Sequence, residues 1–589
     1  MKKQIKTAWD FKLFYKSDTD PKIKADVEAF EKAVDIFELK YKNKTDYLSD
    51  SKKLLKICED YEALLAMPET YRPRHYFHLR KDIDANNKIA QAKYNELSEI
   101  YSKLINKIIF FKLNLGKVSK EQQNIFLKDK NLEKFRYFLK NLFEGAKYQL
   151  SEPEEKILNL LSKPAQDMWV SGFANVLSNQ EVKYKGKNIS INQAFGMIPE
   201  LKTKDRRALA SIINQKLIDI SDFAEAEINA VVSKKKITDE LRGYEKAYSS
   251  TVRRYENEDA TVENLVETVT RGFKISHRFY KIKAKLLKEK RLAYADRMAK
   301  VGDSRKKFSF EESVEITSSA FAKFDPKYRE IFEAYLTKGQ IDVYPKKGKK
   351  GGAYCSGNYG LPTVVLLNHT NTFDSIKTLG HEMGHAFHTE MSQSQTPIYA
   401  DYTISVAEVA STLFENFVFE EIFEKLSAQE KIIALHNKIN DSISTVFRQI
   451  ACFNFEKELH EQIRAKGYLA KEEIAKIMNK HMKSYLGPVF DLKDEDGYFF
   501  VSWPHIRNFF YVYSYSSGLL ISDALYAEYK KDKNFKEKIE QFLKAGSTKC
   551  PEDIFADIGI DIRNPEFFKK GLQVIEDNVK RLEKLVSGK

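Results

Sequence analysis

The sequence predicts a mainly α protein, and two observations carry that prediction. Apolar residues recur at steps of three and four along most of the 589 residues, and only 14 prolines interrupt them. A third observation marks the exception. Six of the 24 glycines fall between Gly339 and Gly360, in GQIDVYPKKGKKGGAYCSGNYG. LPTVVLLN, residues 361–368, follows as a β-branched apolar run of strand length. A small sheet joined by glycine loops is expected there, beside the helix that comes next.

Taken in order, the first helix is announced by Asp20-Pro21, a capping side chain followed by proline at the first helical position. Ile23, Val27, Phe30, Val34 and Phe37 then form an apolar stripe. A longer stripe, Tyr94, Leu97, Ile100, Leu104, Ile108, Phe111 and Leu115, stops at Gly116, where glycine suits a helix end. Both stripes read as packing faces. VKYKGKNISINQAF, around the region 185–200, reads as a connection. It divides a helical N-terminal part, residues 1–190, from residues 191–589, which hold the chemistry.

A hydrophobic content of 42% with 13% aromatic residues suffices for a large core and excludes a disordered chain. The net charge of +14 is spread along the chain. Lys234-Lys235-Lys236 and Lys346-Lys347-Gly348-Lys349-Lys350 read as solvated faces, because no arginine-rich stripe or zinc-knuckle pattern accompanies them. Nucleic acid is therefore not an expected partner. Cys58, Cys355, Cys452 and Cys550 are too sparse for a disulfide framework or a Cys-x-x-Cys metal site. MKKQIKTAWDFKLFYKSD lacks the apolar core of a signal peptide, and no stretch approaches the ~20 apolar residues of a membrane span. A soluble, cytoplasmic chain without a membrane partner is expected.

The chemistry concentrates in TLGHEMGHAFHTE, residues 378–390. On a helix, residues four apart share a face, so His381 and His385 can chelate one ion. Glu382, about 100° round, can reach the water that the ion binds. Gly384 permits close packing against this helix, and Asp374, two turns earlier, is a candidate to hold an imidazole N–H. His388 shares the face, yet it lies about 10 Å from His381 along a straight helix, too far for both to ligate one ion. It reads as an outer neighbour or a packing residue. The third ligand must come from elsewhere. In SVAEVASTLFENFVFEE, residues 405–421, Glu408 sits on an aliphatic helix where a cation would compensate its charge, with Glu415 two turns on as an outer acceptor.

TLGHEMGHAFH, AEVASTLFENF and WPHIRNFFYVYSYSSG together resemble the oligoendopeptidase F branch of the thimet oligopeptidase family. TAWDFKLFY and FLKAGSTKCPEDIFADIGIDIRNPEFF extend the resemblance over nearly the whole chain. It implies a large helical body with a deep substrate channel, residues 1–190 forming one wall, that admits short peptides and excludes folded proteins. It also implies one zinc ion per chain on His381, His385 and Glu408, with Glu382 as general base. The family's transition-state donors fall on His505 and Tyr513. Read from the residues alone, FFYVYSY stays open between that role and buried packing. An imidazole and a phenol can both donate hydrogen bonds to a developing oxyanion. Tyr511, Gly351 and Gly352 are candidate substrate contacts.

The expected reaction is hydrolysis of short unstructured peptides. Zinc polarises the scissile carbonyl and acidifies a water, which Glu382 deprotonates before passing the proton to the leaving amine. The run 361–368 is expected to take the peptide as an added strand, with the glycine loop closing over it. Two rival readings remain. A zinc carboxypeptidase would use the same helix but needs a cation, such as Arg507, for the substrate's terminal carboxylate. A basic helical nucleic-acid-binding protein would need no metal.

Overall fold

The computed structural model describes residues 5–302 and 306–588. Helices dominate, and among the described residues the strands form two small sheets. The chain makes two compact units, each drawn from separated stretches. Met1–Lys147, Lys306–Glu424 and Glu528–Gly559 form the first; Tyr148–Arg305, Lys425–Ala527 and Ile560–Lys589 form the second. This division interleaves the chain, where the sequence reading divides it in order at residue 190. Among the described residues no helix is long and apolar enough to cross a membrane.

In the first unit, Asp20 caps helix Pro21–Tyr41 by accepting from the Lys22 N–H, and Phe30, Val34, Phe37 and Tyr41 are buried on one face. The stripe places Ile23 and Val27 at the half-buried margin, while Asp26 goes inside to pair with Tyr15 and Arg72. The longer stripe folds as two helices, Lys88–Ile108 and Phe110–Gly116, broken at Ile109. These helices share one apolar core with Leu361, Val364 and Leu366.

That core carries the small sheet. Counting the second unit's hairpin as β1 (Glu181–Tyr184) and β2 (Lys187–Ser190), its strands are β3 (Ile341–Asp342), β4 (Tyr354–Ser356) and β5 (Val364–Leu366). The order is β3-β5-β4: β5 runs parallel to β3 and antiparallel to β4. The run 361–368 thus supplies the central strand. Both its edges are occupied, so it cannot accept a peptide strand as the sequence reading expects; β4 is the edge strand on that side.

The glycine-rich stretch is pinned rather than loose. Lys349 pairs with Asp342 at 2.8 Å and donates to the Tyr344 and Leu367 carbonyls. Lys350 pairs with Asp82 at 3.0 Å, and Asn368 donates to the Gly352 carbonyl at 2.7 Å. This lysine run is therefore partly structural.

In the second unit, the stretch read as a connection folds as the β1–β2 hairpin. Its turn is Lys185-Gly186, both at positive φ, the backbone a tight two-residue hairpin requires. The other lysine run behaves like the first, with Lys235 buried against Asp239 at 2.5 Å and Ser250 at 2.8 Å. Long helices, including Ser221–Arg242, Gln449–Lys466 and Pro565–Ser587, make up most of the rest.

Candidate active site

Two helices of the first unit build the metal-ligand group. The histidine helix, Phe373–Ser392, opens with Thr372 capping the Ser375 N–H; the glutamate helix is Ile404–Phe423. They pack closely because the histidine helix carries glycine where the backbones meet. A Cβ on Gly384 would lie 2.7 Å from both the Ala410 carbonyl oxygen and the Ser411 Cα, and one on Gly380 would lie 2.8 Å from Val418. Glycine at these positions brings Glu408 within reach of the histidines.

Ligand atoms of His381, His385 and Glu408 lie within 4.8 Å of one another. Glu408 Oε2 is 3.4 Å from His381 Nε2 and 3.8 Å from His385 Nε2. Ligands ~2.1 Å from a tetrahedral ion stand roughly 3.4 Å apart, so the set fits zinc with little adjustment. All three residues are half-buried, which leaves a side open for water or substrate. Charge points the same way. Without a cation, His381 sits between two carboxylates, Glu408 on Nε2 and Glu415 on Nδ1. Although burial opposes it, these partners raise its pKa well above the usual imidazole range.

Glu415 Oε2 lies 3.1 Å from His381 Nδ1, and its other oxygen lies 3.4 Å from Lys377. Ser411 donates to Glu408 Oε2 at 2.9 Å. These contacts fix the tautomer of His381 and the rotamer of Glu408. Helical spacing places Lys377 one turn before His381 and Ser411 three residues after Glu408, but neither residue type announces a metal site by itself. Asp374, by contrast, is exposed in the first turn of the histidine helix, and its partner position at His381 is filled by Glu415. Its negative charge there complements the helix N-terminus.

Glu382 is buried, and its Oε2 has no hydrogen-bond partner. Burial raises its pKa to about 7, with Glu408 adding to the shift and the His381 charge and the Cys355 N–H of β4 opposing it. A carboxyl poised near neutrality suits a group that takes and returns a proton. His388 plays no part in the ligand group. It is buried, stacked flat on Tyr402 at 3.7 Å, and held neutral by burial. Glu390 accepts from Tyr335 at 2.5 Å. Gly351 and Gly352 are exposed and meet nothing that a Cβ would touch.

The second unit holds the aromatic run. His505 lies in the short turn Pro504–Arg507, and its Nδ1 is hydrogen-bonded to the Tyr511 hydroxyl. Tyr515 stands edge-on to the same imidazole at 6.2 Å and 5.7 Å from Tyr511. Tyr513 points elsewhere. It is 1% exposed and its hydroxyl donates to Asn257 at 3.0 Å, so the tyrosines grouped with His505 are Tyr511 and Tyr515. Alternation explains the difference, because Tyr511 and Tyr515 bracket the buried one.

The intervening backbone is strained, with Phe509 and Phe510 at φ of 50° and 60°. Glu456 accepts the Phe510 N–H at 2.5 Å and Thr251 donates to the Phe509 carbonyl at 3.0 Å, holding that conformation. Arg507 is fully engaged. It forms a two-pronged pair with buried Glu227, at 3.0 and 2.6 Å, and donates to the Phe500 and Trp503 carbonyls. It has no donor left for a substrate carboxylate.

Comparison with known proteins adds independent observations. The family model described as Peptidase family M3 matches residues 204–574, and one described as Oligopeptidase F matches residues 114–178. An oligoendopeptidase F homolog of Lactococcus lactis is 24% identical over 99% of this chain and 97% of its own. A solved structure from Chlamydophila abortus superposes with a TM-score of 0.87 at 21% identity, covering 98% of both chains. Oligoendopeptidase-F of Enterococcus faecium superposes with a TM-score of 0.69 at 19% identity, over 96% of this chain and 98% of that one. The structural likenesses carry the fold alone.

Proposed function

Because the chain belongs to peptidase family M3, on its oligoendopeptidase F branch, we propose that it is a zinc-dependent endopeptidase that hydrolyses short, unstructured peptides. The observation that carries this reading is the convergence of His381, His385 and Glu408 beside Glu382, whose buried Oε2 has no hydrogen-bond partner. These three residues would hold one zinc ion per chain. When bound, the ion would supply Lewis acidity to the scissile carbonyl and to a water.

The chain's own residues do the rest. Glu382 accepts the water's proton as the water attacks, then delivers it to the leaving amine nitrogen. Its near-neutral poise supports both transfers. Glu415 keeps a proton on His381 Nδ1, leaving Nε2 free as a ligand. His505 donates to the developing oxyanion. Tyr511 or Tyr515 joins it, a choice supported by their grouping with the imidazole. The outer edge of the half-buried strand β4, whose Cys355 N–H bears on Glu382, is a place for substrate backbone to add as a strand, with Gly351 and Gly352 in the loop before it. The engagement of Arg507 by Glu227 removes the support for a carboxypeptidase built on that residue. The four cysteines are unpaired, which supports a reducing, cytoplasmic setting.

The test is product analysis. The zinc-loaded protein should cut a blocked ten-residue peptide at internal bonds. Stepwise release of single C-terminal residues would mean a carboxypeptidase, and no cleavage with full metal loading would reject the reading.

A further inference from the structure

One helix of the first unit grips the strand whose Cys355 N–H bears on Glu382. His75 and Asp82 lie seven residues apart on helix Arg72–Ile83, about two turns, and so share a face. Both are buried, at 7% and 6% exposure. Asp82 Oδ2 accepts from the Tyr354 hydroxyl and from Lys350 Nζ, each at 3.0 Å, with His78 Nε2 3.6 Å away. His75 Nδ1 accepts from the Asn358 amide at 3.2 Å. Tyr354 opens β4 and Asn358 follows it, so the helix holds the strand at both ends. Backbone joins in. The Lys350 N–H donates to the Asp82 carbonyl at 2.8 Å, and the Ala85 N–H donates to the Gly348 carbonyl at 2.7 Å.

The ladder of the small sheet shows what that hold controls. On the central strand β5, the Val365 N–H goes to the Gln340 carbonyl on the β3 side, and the Leu367 N–H goes to the Asp342 carbonyl. Backbone groups alternate sides along a strand, so Val364 and Leu366 turn to β4 and bond their partners Ser356 and Tyr354. The backbone of Cys355, between those two, therefore faces outward. Its N–H bears on Glu382, which leaves its carbonyl to accept from a peptide laid along the edge. A three-residue edge strand offers few such groups, and a small rotation of β4 would misdirect this one. Asp82 opposes that rotation. A buried carboxylate is kept only where donors offset its lost hydration, and here one donor comes from the loop before β4 and the other from its first residue.

We propose that Asp82 is a positioning residue for peptide binding: through Tyr354 and Lys350 it sets the outer edge of β4 at the angle that a substrate backbone needs. The proposal rests on the peptidase reading above and adds to it the residue that prepares the substrate's seat. Every group it uses belongs to the first unit, which also holds the metal ligands and Glu382.

The experiment pairs protein variants with one fluorogenic ten-residue peptide and its singly N-methylated forms, each lacking one backbone N–H outside the scissile bond. In the zinc-loaded parent, the most sensitive methylation should lower kcat/KM about tenfold, the scale of one hydrogen bond. Asp82→Ala should raise KM for the unmodified peptide about tenfold while kcat stays within about threefold and zinc content is unchanged. In that variant the same methylation should matter by no more than about threefold, because the bond it removes is already lost. Asp82→Asn keeps an oxygen acceptor and should bring KM back to within about threefold of the parent. Tyr354→Phe removes only the donated hydroxyl and should raise KM in the same sense, which serves where Asp82→Ala does not fold. No sensitive amide in the parent, an unchanged KM in these variants, or a methylation effect that stays tenfold in them would overturn the proposal. A lowered melting temperature with KM unchanged would make Asp82 a residue of the fold alone. Calorimetric binding of the same peptides to Glu382→Gln, with and without Asp82→Ala, reads the coupling without hydrolysis. Coupling there supports the positioning role even if the parent cuts nothing and the peptidase reading falls, and its absence overturns the role.

Discussion

Glu382, Glu415 and Glu456 carry the same functional group and differ only in what surrounds it. Glu382 faces the ligand group with an unpartnered oxygen, whereas Glu415 is held between Lys377 and His381. Replacing Glu415 with glutamine should therefore keep the fold but weaken metal affinity about 10- to 100-fold, the usual cost of losing a ligand's outer partner. Competition against a chelator measures it, and unchanged affinity would remove Glu415 from the site. Glu456 makes a pH prediction. Burial raises its pKa from 4.5 to about 8, with the Phe510 N–H opposing. The folded protein thus keeps a proton that the unfolded chain releases above its lower pKa. The stability this gives is complete below pH 4.5 and lost as pH rises through about 8. Glu456→Gln, which does not titrate, should lose less stability than the parent between about pH 5 and 8.5, by up to a few kcal/mol. Urea unfolding at both pH values checks this, and parallel declines would contradict it. At this scale the sequence exposes whatever follows from helical spacing: His381, Glu382, His385 and the Glu408–Glu415 pair. It does not separate Tyr513 from Tyr511 and Tyr515, because the fold decides which of three alternating tyrosines turns inward.

Between the two site helices, the controlling feature is the absence of side chains at Gly380 and Gly384. Gly384→Ala would press a methyl against backbone of the glutamate helix at 2.7 Å, where no rotamer change can relieve it. The helices must separate, so stability should fall by about 1–3 kcal/mol and metal affinity should fall with it as Glu408 moves away. Thermal melts of metal-free and metal-loaded protein measure both effects. A variant as stable and as tightly metal-bound as the parent would show that the close approach is not needed. The same scale shows where sequence patterns run out. A β-branched run reveals a strand but not its neighbours, so 361–368 looks like a docking strand and proves to be the centre of its sheet. Lysine runs look solvated, yet Lys235 and Lys349 are buried beside Asp239 and Asp342, partners that composition does not pair with them.

For the whole molecule, a net charge of +14 should draw acidic peptides. Their kcat/KM should exceed that of neutral peptides at low salt and approach it by about 0.5 M, where screening is nearly complete. Salt-independent rates for both would mean that the charge plays no part in capture. The peptidase reading itself rests on one group of residues, and metal content and turnover measured on the same preparations test it most directly. The parent should hold one zinc per chain and cleave a ten-residue peptide. Glu382→Gln should hold the same zinc and lose at least about a thousandfold in kcat, because an amide cannot accept the water's proton. Glu408→Ala should lose both metal and turnover. Full metal and full turnover in Glu408→Ala, or a Glu382→Gln enzyme working at a tenth of the parent rate, would contradict the account.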